Sequence, residues 1–298
     1  MLGQIARKFL GPWLGVHFQY APRTTQLPDH YHEPVSLPTY PSISVVTPSY
    51  AQGEFLERTI TSILNQKYPN LEYIIQDGGS TDQTTEILAR YASQFHAWES
   101  APDGGQANAI NKGFTKSSGE IMAFVNSDDV LLPGALHSVA QFFTTNPQVD
   151  VVYGHRIIID GEDKEVGRWI MPKHSDQAFI WTDYVPQETM FWRRRIWDKI
   201  GGHLDESFQS ALDWDLLLRF EAARAKFYRL PRFLGAFRVH PQQKSCARYD
   251  DLGWPEWQLL RERWHGRRVS KWEARLRVIP YLCRHIITHR MYQLGLMA

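Results

Sequence analysis

Apolar positions return in two rhythms along this chain. Short β-branched or aromatic runs alternate with stretches where apolar residues recur every three or four positions. The first run is SISVVTPSY, in which Ile43, Val45 and Val46 predict a strand ended by Pro48. Leu56, Ile60, Ile63 and Leu64 follow at helical spacing, and that helix stops before Pro69. YIIQDGG predicts a second strand closed by glycines. Ser80 then stands three residues ahead of Gln83, a capping-box spacing, with Ile87, Leu88 and Tyr91 on one helical face. The loop SAPDGGQ leads to a helical stretch over 107–114. EIMAFV predicts a third buried strand, LPGALHSVAQFF another helix, and VDVVYG and RIIID two further strands.

The second half is more aromatic. VPQETMFWRRRIWDKIGGHLDESFQSALDWDLLLRF predicts a strand, a helix, a Gly-Gly break and an amphipathic helix, and FYRL and GAFRVH predict two short strands. Ahead of the regular part, Pro22, Pro28, Pro34, Pro38 and Pro41 exclude a helix over 21–41 and predict an extended arm. Strand–helix alternation at this pace predicts an α/β domain around a mostly parallel sheet. Ligands bind outside the carboxyl ends of such strands. The polar clusters fall on those ends: Thr47-Pro48-Ser49-Tyr50, Asp77-Gly78-Gly79-Ser80 and Asn126-Ser127-Asp128-Asp129.

Composition narrows the choice. The 298 residues suit one large domain with extensions, and 43% hydrophobic content with 11 Trp, 13 Tyr and 15 Phe supplies a sizeable core. A net charge of +1 provides no field for nucleic acid, so no such partner is expected. Cys246 and Cys283 form no CxxC pair and no metal spacing, which reads as two reduced thiols in a cytoplasmic protein. No apolar run reaches the roughly eighteen residues of a membrane span. The start is split by Arg7-Lys8 with no small-residue cleavage site, so no signal peptide is expected.

The acids carry the candidate chemistry. Adjacent Asp128 and Asp129 at a ligand edge repel unless a cation joins them, and such oxygen ligands suit Mg²⁺ or Mn²⁺ that also holds phosphates. The plainer reading is that one of them, Asp129, caps the following helix near Pro133. Asp77 before two glycines is either a turn residue or a carboxylate for a base or ribose. Neither GxGxxG nor GxxxxGK[ST] is present, which excludes dinucleotide and P-loop readings. Asp213 and Asp215 flank Trp214 and point to different sides of a helix, one solvated and one available as a base. His240 before Pro241 is a turn residue or a ligand.

The ordered set ISVVTPSYAQGEFLERTITSILNQKYPNLEYIIQDGGSTDQTTEIL, PDGGQANAINKGF, SSGEIMAFVNSDDVLLPGAL, PQETMFWRR, IGGHLDESF, LDWDLLLR and FRVHPQQKS resembles family 2 glycosyltransferases over residues 42–246. The resemblance implies a GT-A fold, a Rossmann-like α/β/α sandwich. It also implies inversion at the anomeric carbon of a nucleotide-sugar donor, and a divalent metal. It implies that Thr47, Pro48 and Tyr50 line the nucleotide, that Asp77 contacts the base, and that Asp103, Asn111 and Lys112 form the middle nucleotide-binding segment. Asn126-Ser127-Asp128 takes the DxD position, with Asp128 as metal ligand and His240 near the diphosphate or metal. Asp213 matches the catalytic base, with Gln187, Glu188 and Trp214 towards the acceptor. Two positions depart from the family pattern: Asn126 replaces the first DxD acid, so metal binding rests on Asp128, and Leu212 replaces the acid before Asp213. The processive QxxRW motif is absent, which implies single-sugar transfer to a glycan or lipid-linked acceptor in polysaccharide or glycolipid assembly.

A nucleotidyltransferase of related fold is the second enzyme reading, but TPSYAQGEF stands where its Gly-rich loop is expected. A non-catalytic nucleotide-sugar- or glycan-binding protein is the third, opposed by retention of Asp213. The chain divides into an N-terminal extension (1–41), the catalytic domain (42–248) and a basic, aromatic-rich helical tail (249–298). Residues 261–298 hold nine Lys/Arg against two Asp/Glu. That tail is either packed on the domain or lies peripherally on an anionic membrane surface.

Overall fold

The computed structural model describes residues 15–33, 36–241, 243 and 253–296. Cys246 and the Gln242, Lys244 and Ser245 end of the His240 motif lie outside those residues. Nine strands form one sheet: β1 (Ile43–Ser49), β2 (Leu71–Asp77), β3 (Ala97–Ser100), β4 (Ile121–Phe124), β5 (Val130–Leu131), β6 (Val151–Ile159), β7 (Glu165–Trp169), β8 (Phe191–Arg193) and β9 (Phe227–Arg238). The described helices are α1 (Gly53–Leu64), α2 (Thr84–Tyr91), α3 (Gln106–Thr115), α4 (Ala135–Thr145), α5 (Asp176–Phe179), α6 (Arg194–Lys199), α7 (Leu212–Ala222), α8 (Trp254–His265) and α9 (Lys271–Gln293).

Strands β3-β2-β1-β4 are all parallel, joined by crossovers through α1, α2 and α3. Beyond β4 the sheet becomes mixed. β8 runs antiparallel to β4 and β6, and β6 runs parallel to β9. The tight turn at Asp160–Lys164 forces β7 antiparallel to β6. Alternate side chains divide the core. Val46, Ile74, Met122 and Phe124 face Ile110, Phe114, Trp192 and Trp214, while Ile43, Val45, Ile75 and Ala123 face Leu56, Ile60, Leu136 and Phe143. This gives the expected α/β/α layering.

Four local expectations change. VDVVYG and RIIID are one continuous strand, β6, because Gly154 lets β9 approach closely: a Cβ there would lie 2.5 Å from the Arg232 carbonyl. FYRL and GAFRVH are likewise one strand, β9. Pro231 sits between Arg229 and Phe233, where the register with β6 slips, so its missing N–H falls in a bulge. Ser80 does not cap α2, whose cap position is Gln83; its hydroxyl instead donates to Asp77 Oδ1 at 2.5 Å. The proline-rich arm contains one 3₁₀ turn at Asp29–Tyr31, with Tyr31 buried.

Residues 19–23 of the arm run beside β7, whereas Leu37 and Tyr40 pack on the Leu56 and Ile60 side of the core. Arg23 and Glu165 exchange backbone hydrogen bonds of 3.0 and 2.7 Å, and Gln19 N–H donates to Val166 at 2.8 Å. The arm thus covers an edge that would otherwise expose unpaired backbone groups. The tail is helical. Leu260 on α8 and Ala274, Val278 and Tyr281 on α9 are buried, and Tyr281 stacks on Tyr184 with ring centroids 4.0 Å apart. Ser270 caps α9 by accepting from Glu273 N–H at 3.1 Å.

Candidate active site

The loop after β4 is gripped through its backbone. Thr59 on α1 donates its hydroxyl to the carbonyls of Ser127 (2.9 Å) and Asp129 (2.7 Å). Arg238, at the end of β9, donates from Nε to the Asp128 carbonyl at 2.8 Å. With the backbone held from two sides, the half-buried Asp128 carboxylate faces His240, whose Nε2 lies 3.1 Å from Oδ2. Phe55 packs against the His240 ring at 4.7 Å. Asp129 does not cap a helix: it is buried and accepts from Arg238 N–H at 3.0 Å. The helix cap is Gly134, in the left-handed conformation, five residues on. Burial, then the neighbouring Asp128 and Glu188 charges, raise the Asp129 pKa well above the carboxylate range.

Asn126 sits inside a chain of amides. Gln106 on α3 donates to Asn126 Oδ1 at 2.7 Å, Asn126 Nδ2 donates to Gln187 Oε1 at 3.0 Å, and Gln187 Nε2 donates to the Phe124 carbonyl at 2.7 Å. A carboxylate has no donor to offer Gln187, which accounts for Asn at this DxD position.

Behind the loop lies one arginine among four acids. Arg156 on β6 binds Glu188 bidentately, with Nε to Oε1 at 2.8 Å and Nη2 to Oε2. Its guanidinium also acts electrostatically on Asp129, Asp183 and Asp213. Glu188 is therefore placed differently from the acceptor-facing role expected: it is buried and committed to Arg156, because a buried carboxylate needs a partner. Asp213, in the first turn of α7, is half-buried, and burial raises its pKa to about 6. Asp183 is raised well above the usual range by burial and then by Asp213. A half-buried carboxyl shifted toward neutral pH is a candidate general base.

The nucleotide side is built from β1, β2 and the turn before α3. Tyr50 is exposed at the end of β1, and both Tyr50 and Asp103 lie against Gly78, where a Cβ would meet them at 3.2 Å. A side chain at position 78 would therefore crowd both groups. Asp77 is fully buried and saturated by its own chain, accepting from Gly79 N–H, Ser80 N–H, Ser80 Oγ and Ser100 Oγ. It shapes the loop. Thr47 is not brought to the cleft: its side chain is buried and bonded to Tyr73 OH at 3.2 Å, and Pro48 beside it is buried. Asn111 faces the other way, exchanging hydrogen bonds with the Leu204 backbone (2.7 and 3.0 Å) and donating to Glu206. Lys112, next on α3, is half-buried.

Two expectations around α7 are corrected. Trp214 is wholly buried with Nε1 donating to the Phe179 carbonyl at 3.1 Å, so it belongs to the core and not to an acceptor surface. Asp215 is buried rather than solvated, because Arg219 one turn on pairs with it at 2.8 Å. Sequence reasoning missed Arg156, Asp183 and Glu256. The signal for Arg156 was a charge inside the apolar run VVYGHRIII. Glu256 on α8 accepts from three successive backbone N–H groups, Gln209 (2.9 Å), Ser210 (2.8 Å) and Ala211 (2.8 Å), directly ahead of the α7 that carries Asp213.

Asp128 and His240 are hydrogen-bonded to each other, and as one carboxylate and one imidazole they could supply two ligands to a divalent cation. Neighbouring ligands of an octahedral ion with bonds near 2.1 Å stand about 3.0 Å apart, close to the 3.1 Å between Asp128 Oδ2 and His240 Nε2. No cluster of three or more His, Cys, Asp or Glu suited to a metal occurs among the described residues. Few protein ligands is the arrangement of Mg²⁺-type ions that keep waters and bind substrate phosphates.

Comparison with known proteins agrees with this geometry. The model of the family "Glycosyl transferase family 2" matches residues 44–205, more than half of the chain. An uncharacterized glycosyltransferase of Nostoc sp. is 35% identical over 133 residues, which is 42% of this chain and 39% of that protein. The chain thus spans well under half the length of that relative. Staphylococcus aureus TarS (residues 1–349), solved with UDP-GlcNAc, matches with a TM-score of 0.62 at 18% identity, covering 83% of this chain and 73% of that one. The mannosyltransferase PcManGT of Pyrobaculum calidifontis, solved with GDP-Man and Mn²⁺, matches with a TM-score of 0.54 at 17% identity over 97% of this chain and 75% of its own. At these identities the two structures establish the GT-A fold, and the family match across the strand-end motifs establishes that the chain belongs to glycosyl transferase family 2.

Proposed function

We propose that this chain transfers a single sugar from a nucleoside-diphosphate sugar to a hydroxyl acceptor, with inversion. One observation carries the reading: the same ligand edge presents an Asp128–His240 pair 3.1 Å apart and, across Arg156, an acid poised near pH 6. The first suits a metal-bound diphosphate and the second suits removal of a proton. The nucleotide-sugars in the two structural relatives support a donor of that class.

In this mechanism Tyr50 and Asp103 hold the nucleoside beside Gly78, and Asp128 and His240 hold the metal. When bound, that ion supplies positive charge to the departing diphosphate. Asp213 accepts the proton of the acceptor hydroxyl as its oxygen forms a bond to the anomeric carbon. The bond from that carbon to the diphosphate breaks on the opposite face, which inverts the centre. The Arg156 guanidinium keeps the acid cluster from accumulating charge, and Asn126 holds α3 to the Gln187 turn. The acceptor is a glycan or lipid-linked hydroxyl of polysaccharide or glycolipid assembly.

Asp128→Ala should abolish Mn²⁺-dependent binding of UDP- or GDP-sugars in a thermal-shift panel, while metal-independent nucleotide binding persists. Wild-type turnover that survives EDTA unchanged would contradict the metal role.

A further inference from the structure

α9 has two apolar faces, and the fold uses only one. Ala274, Val278, Tyr281, His285 and His289 recur at helical spacing and are buried against the domain. On the opposite side Trp272 (72% exposed), Leu276 (64%), Ile279 (46%) and Ile287 (58%) lie on one face, and Leu294 (72%) follows at the C-cap. A helix of 23 residues makes this stripe roughly 35 Å long. Scattered exposed apolar residues are ordinary, but a row of this length on one helix face, interrupted by Cys283 and Arg290, marks an interaction surface.

Basic residues frame the stripe. Arg275 lies on one flank and Arg277 and Arg284 on the other, all exposed, with Arg277 over the Trp181 ring at 5.5 Å and Arg284 over Tyr281 at 5.9 Å; Lys271, at the start of the helix, lies over Trp254 at 4.5 Å. None of the four forms a salt bridge among the described residues. Arg275 lies over the Trp272 ring at 5.4 Å, beside the stripe itself. Two copies of the chain pairing through this face would bring like charges together. A negatively charged surface with an apolar interior satisfies both features at once. No described helix is long and apolar enough to cross a membrane, so the matching geometry is a helix lying along a surface.

We propose that the outward face of α9 docks on an anionic lipid bilayer, with Trp272, Leu276, Ile279, Ile287 and Leu294 entering the headgroup boundary and the flanking Lys and Arg contacting lipid phosphates. The inference goes beyond the catalytic reading and stands without it. α9 also contacts the segment that leads to the active site, through Tyr281 stacked on Tyr184 and Arg284 donating to Ser175 Oγ at 3.2 Å. Asp183 is next to Tyr184 in that segment, so docking would set the acid cluster near the bilayer.

The test is co-sedimentation of the full chain with two kinds of vesicle, phosphatidylcholine alone and phosphatidylcholine mixed with phosphatidylglycerol. Binding is expected to the mixed vesicles only, and to weaken as salt is raised. The double variant Leu276→Asp/Ile287→Asp should bind about tenfold more weakly or worse, and Arg275→Glu/Arg277→Glu about fivefold more weakly or worse. Both pairs are exposed, so thermal melts should match wild type, and the vesicle and salt comparisons on wild type stand independently of them. No binding to the mixed vesicles, or equal binding by both variants, would overturn the proposal. So would a wild-type dimer in sedimentation velocity that Leu276→Asp converts to monomer, since a second copy would then cover the face.

Discussion

Asn126 carries more information than any other single residue in the site. At a position where an acid is expected, its amide donates to Gln187 while accepting from Gln106. Asn126→Asp faces a carboxylate with the Gln187 oxygen. If Gln187 turns its amide to compensate, the buried Phe124 carbonyl loses its donor. We expect a loss of stability of about 1–3 kcal/mol, the cost of an unpaired buried group, and no gain in metal affinity; urea titration and Mn²⁺ titration check the two. Asp213 gives a pH signature. Its activity as a base requires the charged form, so kcat/KM should fall as pH drops through about 6. Its effect on stability has the opposite sense. A carboxyl raised from 3.8 to about 6 stabilises the fold fully below pH 3.8, and that contribution is lost as pH rises through about 6. Asp213→Asn should therefore raise the melting temperature at pH 8 but not at pH 3.5. The positions of Asp128, His240 and Asp213 were legible in the sequence, because each sits at a strand end or a helix start; their metal and base roles are proposals. Thr47, Glu188 and Trp214 were not, because residue type does not reveal whether a polar or aromatic side chain is consumed by Tyr73, Arg156 or the Phe179 carbonyl.

At the scale of elements, the tail helix α8 holds the start of α7, which carries the proposed base Asp213. Three N–H groups ahead of α7 have no partner within their own helix, and the Glu256 carboxylate satisfies them. Glu256→Ala should lower kcat with little change in donor KM, because α7 and Asp213 shift while the proposed nucleotide site does not. Glu256→Gln, which retains one acceptor oxygen, should recover part of it. Equal losses in kcat/KM and thermal stability for both variants would instead indicate a general packing role. Three of the four parallel strands, β1, β2 and β4, were legible from apolar runs bounded by helix patterns; β3, four residues with an exposed Trp98, has no such run. The continuity of β6 and β9 was not legible either. Gly154 and Pro231 read locally as breaks, whereas a long-range register shift between the two strands accommodates both. The cap of α2 was misplaced for a related reason: Ser80 has a stronger partner in Asp77 than in the helix.

Across the whole molecule, the parallel half of the sheet carries the proposed nucleotide site, and the mixed half supplies Arg156, Arg238 and the covering edges. The arm along β7 and the two tail helices lie outside the family match at 44–205, yet each touches a site-bearing segment or a sheet edge. This part of the architecture was least visible in the sequence, since its contacts join residues far apart in the chain, 45 positions for Glu256 with Ala211 and 149 for Gln19 with Arg168. The central claim is that one edge of the sheet combines diphosphate binding with an Asp213 base. It is tested most directly by nucleoside diphosphate release from a panel of UDP- and GDP-sugars with Mn²⁺ and a hydroxyl acceptor, comparing wild type with Asp213→Asn. The account predicts release by wild type, a loss of about 10²–10⁴-fold in the variant, and unchanged donor binding by thermal shift. Near-normal release by Asp213→Asn would contradict it.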